Sequence, residues 1–108
     1  MIIVEKQEGA KTITHELMGD LLILGNSVYI NLPIYERDFA VHLDISENEY
    51  GMITMGLSRS YVAEIDIPAR EYIEVSTGEF DEDDNEIMEM RPETFDLNKV
   101  KLTLWEVK

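Results

Sequence analysis

The stretch FAVHLDI, residues 39–45, alternates apolar and polar side chains without a break. A chain with that period can bury one side of an extended strand and cannot bury one stripe of a helix. Phe39, Val41, Leu43 and Ile45 fall on the inward face, with Ala40, His42 and Asp44 outward. YVAEIDI, residues 61–67, repeats the pattern with Tyr61, Ala63, Ile65 and Ile67 inward. It stops at Pro68, which has no N–H to give to a ladder. In KVKLTLWEV, Val100, Leu102 and Leu104 alternate with Lys101, Thr103 and Trp105, so both faces carry apolar weight and a strand covered on both sides is expected.

Turn chemistry orders the remaining segments. DLLILGNSVYINLP has two apolar runs around Gly25-Asn26-Ser27, where Gly and Asn readily take positive φ, and this predicts a hairpin of 21–24 with 28–32. KTITHELMGDLL reads as strand, turn, strand about Gly19-Asp20. EYIEV (71–75) and EIMEM (86–90) are strands that face each other across an acidic segment. One stretch argues for a helix. Ser46 with Glu49 forms a capping box, Ile45 with Tyr50 a hydrophobic staple, and Tyr50, Ile53 and Leu57 share a helical stripe that Gly56 can close. The expected fold is mainly β: one antiparallel domain, a small barrel or sandwich, with one short helix near residues 46–56.

The 108 residues are enough for one domain with a core, and no apolar run approaches the roughly 18 residues that span a bilayer. MIIVEKQEG has no basic segment ahead of its apolar residues, unlike a secretory signal. Cysteine is absent, which removes disulfides and thiolate metal sites. A cytoplasmic protein without a cofactor is the expectation. The net charge of −14 opposes direct contact with nucleic acid or with an anionic membrane and favours basic protein surfaces and divalent cations.

The charge is not evenly spread. Residues 79–96 carry Glu79, Asp81, Glu82, Asp83, Asp84, Glu86, Glu89, Glu93 and Asp96 against Arg91 alone, a local charge of −8 in one sixth of the chain. A solvated hairpin tip explains such acid without any partner, because charges keep strand edges from pairing. Six carboxylates between 79 and 86 exceed that need, and close like charges cost stability unless a basic partner relieves them. A mimic of DNA phosphates, of the kind small inhibitors from mobile elements use, would spread its acids along a whole face, and here they cluster. For calcium, Asp81, Asp83 and Asn85 match the first three ligand positions of an EF-hand loop, but Glu86 stands where Gly is needed and Pro92 where Glu is needed. Catalysis by a carboxylate pair needs unlike environments, which one solvated loop does not provide.

His42 and Asp44 share the outward face of their strand, and Ser58 or Ser60 could be placed with them as a nucleophile, although a solvated polar pair explains them more simply. With His15 as the one other histidine and no cysteine, no transition-metal site is expected. Phosphate-loop, dinucleotide, nucleophile-elbow and zinc-helix motifs are all missing. Met52 and Met55 are assigned to the core, whereas Met88 and Met90 lie beside the acid, a layout suited to protein contact. The functional expectation is a non-enzymatic interaction module whose acidic hairpin (Glu79, Asp81, Glu82, Asp83, Asp84, Glu86, Met88, Met90) meets a basic partner or another subunit, self-association included. The alternatives are weak calcium or magnesium binding through Asp81, Asp83 and Asn85, and nucleic-acid mimicry.

Overall fold

Strand alternation is realised along most of the chain. The structure, a computed structural model, describes residues 1–107, and half of the chain is in strands. Ten strands follow one another: β1 (Ile2–Glu5), β2 (His15–Met18), β3 (Leu21–Leu24), β4 (Val28–Asn31), β5 (Val41–Glu47), β6 (Ile53–Met55), β7 (Ser60–Ile67), β8 (Tyr72–Phe80), β9 (Glu86–Pro92) and β10 (Lys101–Leu104). Two single 3₁₀ turns, Leu32–Tyr35 and Leu97–Lys99, complete the regular structure.

The strands form three sheets. β1-β10-β7-β5-β6 make a five-stranded sheet, β2-β3-β4 a three-stranded one, and β8-β9 a two-stranded ribbon. All pairs are antiparallel except β1 with β10. The first two sheets share one apolar cluster. Leu22, Leu24 and Ile30 of the smaller sheet, with Leu32 just after it, join Ile45, Ala63, Ile65, Ile67, Leu102 and Leu104 of the larger, all essentially inaccessible to solvent. Full burial of such a leucine or isoleucine contributes about 1.5–3 kcal/mol, so this cluster holds the two sheets together. Gly25 and Asn26 both take positive φ (57° and 58°) between β3 and β4, as the hairpin reading requires. Thr103 is nearly buried between Leu102 and Leu104, so β10 is covered on both faces as its sequence suggests.

Five expectations are corrected. No sheet closes on itself, so there is no barrel. The helix near 46–56 does not form; β5 runs on to Glu47 and turns back into β6. The reason is local hydrogen bonding. Ser46 is buried, and its hydroxyl donates to the Gly56 carbonyl 2.7 Å away rather than capping a helix. The Asn48 side chain accepts from the amides of Tyr50 and Met52, and Gly51 at φ 76° completes the tight turn. Consequently Tyr50, Met52, Met55 and Leu57 are exposed, and the core assignment of the two methionines fails. Phe39 likewise lies before β5 and is exposed, and Tyr61 is exposed on the face opposite Ala63 and Ile65.

Candidate functional site

β8 and β9 pair with each other alone, from Tyr72↔Pro92 to Ser76↔Met88, and again at Phe80↔Glu86 beyond an irregularity around Gly78. No residue of either strand is buried. A nine-residue strand reaches about 30 Å. The molecule accordingly measures 67 × 25 × 21 Å with a radius of gyration of 19.0 Å, against about 13 Å for a compact chain of this length. The ribbon is an arm. Tyr72, Phe80, Met88 and Met90 lie on one side of it, and Ile73 and Ile87 on the other, all exposed.

The tip is built by its own acid. Asp81 accepts from the amides of Asp83 and Asn85 (both 2.9 Å), its amide donates to the Asn85 carbonyl, and Asp84 takes φ 62°. One oxygen of Asp81 is therefore committed to the turn. Glu79, Asp81, Glu82, Asp83, Asp84 and Glu86 are all exposed, and among the described residues no lysine or arginine pairs with them. Arg91 pairs with Glu89, and Lys99 with Glu71, so the cations nearest in sequence are engaged elsewhere. Met88 and Met90 follow Glu86 along one side of β9.

The root is fastened by polar groups. The Arg70 guanidinium reaches Asp38 (3.0 Å) and Glu36 (3.4 Å), and its amide donates to the Arg37 carbonyl. Tyr72 donates to Asp38, and this hydrogen bond, with the Arg70 charge, holds the Asp38 carboxyl below its ordinary value. On the other side Lys99 donates to Glu71 at 2.7 Å, which lowers the Glu71 pKa and raises that of Lys99. A cleft of about 490 Å³ opens beside this anchorage, lined among others by Glu71, Ile73, Glu93, Phe95 and Lys99.

The His42–Asp44 neighbourhood is more populated than its sequence reveals. Register sets His42 opposite Asp66 and Asp44 opposite Glu64 on one face of β5–β7. His42 Nδ1 lies 2.7 Å from Asp66 Oδ1, and Nε2 lies 2.9 Å from Asp44 Oδ1 and 3.4 Å from Glu64 Oε1. Hydrogen bonds to Asp66 and then Asp44 raise the imidazole pKa above its ordinary 6.5. Trp105 Nε1 donates to Glu64 Oε2 at 2.7 Å, while its ring stacks on Tyr61 and lies under the Lys6 ammonium. Both imidazole nitrogens face carboxylates, and no hydrogen bond joins His42 to Ser58 or Ser60. The triad arrangement is not formed.

Glu64 and Asp66 lie outside the sequence reading because only cross-strand pairing brings them to His42. The exposed Tyr72, Ile73, Phe80 and Ile87 lie outside it as well, although an apolar residue on each face of a two-stranded segment was the available signal. No family model, no curated protein and no solved structure matches the chain.

Proposed function

We propose that the protein is a non-enzymatic interaction module whose arm, β8–β9, docks onto a basic protein surface. The observation that carries this reading is the unburied ribbon itself. A lone two-stranded hairpin is marginally stable in water, yet this one keeps tyrosine, phenylalanine, isoleucine and methionine side chains exposed along its length. Such a surface is stabilised when a partner covers it. The unpaired carboxylates at the tip choose the sign of that partner: a second copy brings the same −14 charge, whereas a Lys/Arg-rich surface is attracted and steered.

A photo-crosslinker in place of Phe80 tests the reading in an extract of the source organism. The expected result is a crosslinked protein whose contact region is rich in lysine and arginine. Its yield falls when Glu82→Gln, Asp83→Asn and Asp84→Asn are combined or when salt is raised. Crosslinks confined to a second copy of this chain, or a yield indifferent to charge neutralisation, would overturn it.

A further inference from the structure

We propose that His42 Nε2, Asp44 and Glu64 bind one divalent first-row transition-metal ion, zinc being the ion this donor set suits best. The three side chains offer ligand atoms within 4.8 Å of one another, the one such group of three or more His, Asp or Glu among the described residues. Two of the three spacings fall in the range of a coordination shell. Donors held about 2.0–2.2 Å from a zinc ion stand about 3.4 Å apart in a tetrahedron and about 2.9 Å apart at an octahedral edge. His42 Nε2 lies 3.4 Å from Glu64 Oε1 and 2.9 Å from Asp44 Oδ1. A nitrogen donor with two oxygens fits zinc, while calcium and magnesium take oxygen ligands.

Two further contacts orient the ligands, which a chance gathering of surface acid does not provide. Asp66 Oδ1 accepts from His42 Nδ1 at 2.7 Å, the carboxylate–histidine contact that makes Nε2 the ligand atom once an ion displaces the proton that Nε2 shares with Asp44. Trp105 Nε1 holds Glu64 Oε2 at 2.7 Å and leaves Oε1 directed at His42. All three ligands rise from paired strands, β5 and β7, where the backbone is fixed by the ladder. Asp44 and Glu64 are about three-quarters shielded from solvent, which strengthens their attraction for a cation relative to the acids of the hairpin tip. Three protein ligands leave a fourth position to water.

Calorimetric titration of the metal-free protein with zinc chloride tests the assignment, with Trp105 emission as a second readout, since Trp105 is the chain's one tryptophan. Expected is saturable binding of one ion per chain with a change in emission. His42→Ala abolishes it, and His15→Ala leaves it unchanged. Asp66→Asn weakens it about 10–100-fold, as loss of a contact behind the ligand does elsewhere. Long-range ¹H–¹⁵N spectra should place the metal on Nε2 of His42. Absence of saturable binding, or undiminished affinity in a His42→Ala protein that melts like the wild type, would overturn the site and leave a histidine ion-paired to carboxylates.

Discussion

The hydroxyl of Tyr72, first residue of the arm, donates to the carboxylate of Asp38, thirty-four positions earlier in the chain. No apolar burial holds this end of β8, so the polar anchorage through Asp38, Arg70, Glu71 and Lys99 sets how firmly the arm is seated.

That anchorage has a pH dependence of defined sign. Asp38 and Glu71 both titrate below their ordinary values of 3.8 and 4.5. A carboxyl with a depressed folded pKa contributes stability that is complete above the ordinary value and is lost as pH falls through the depressed one. The protection of the Ile73 and Val75 amides, measured against their intrinsic exchange rates, should therefore fall on acidification below about pH 4, while Leu102 and Ile65 stay protected. Tyr72→Phe should bring the onset to higher pH; an unchanged onset would separate the arm's seating from Asp38.

Neutralising the tip should not harm the fold. Asp83→Asn with Asp84→Asn relieves repulsion between neighbours and should leave the melting temperature unchanged or slightly raised. Asp81→Ala differs, because it removes the acceptor for the amides of Asp83 and Asn85; exchange at those two amides should speed up without a shift in global melting.

Gly25 tests the β3–β4 hairpin. Its φ of 57° is costly for any residue with a Cβ, and a Cβ there would run into the Ile53 side chain. Gly25→Ala should destabilise the protein by about 1–2 kcal/mol in chemical denaturation, the usual penalty for a left-handed residue.

Core and arm should be energetically separable. Leu102→Ala removes a fully buried side chain and should cost about 2–5 kcal/mol, whereas Leu57→Ala on the surface should stay within about 0.5 kcal/mol. Replacing residues 72–92 with a short glycine linker should leave the melting temperature of the two larger sheets within a few degrees; a collapse would show that the arm is part of their stability.

Period-two alternation made β5, β7 and β10 legible, since Ile45, Ala63, Ile65, Ile67, Leu102 and Leu104 all face the core; it failed at Tyr61 and Val62, where the register shifts beside Ile45 and Ser46 and brings Val62 inward. The Gly25-Asn26 turn fixed the β3–β4 register for the same reason: its backbone need is met by those residue types alone. The pairing of β8 with β9 and the exposure of the acids between them followed from charge density. Residues 46–56 misled because Ser and Asn serve helix caps and hairpin turns equally well, and only the burial of Ser46 decides between them. The His42 cluster was hidden because Glu64 and Asp66 reach it through cross-strand register 22 and 24 residues away, a separation no local window samples.

The parallel pairing of β1 with β10 bears on how the chain is made. On the ribosome, Ile2–Glu5 emerges ahead of Lys101–Leu104 and has no strand partner until that segment has been translated and laid against β7. β1 must therefore wait for the roughly hundred residues that separate it from β10, during which Ile2, Ile3 and Val4 are open to chaperones and to other nascent chains.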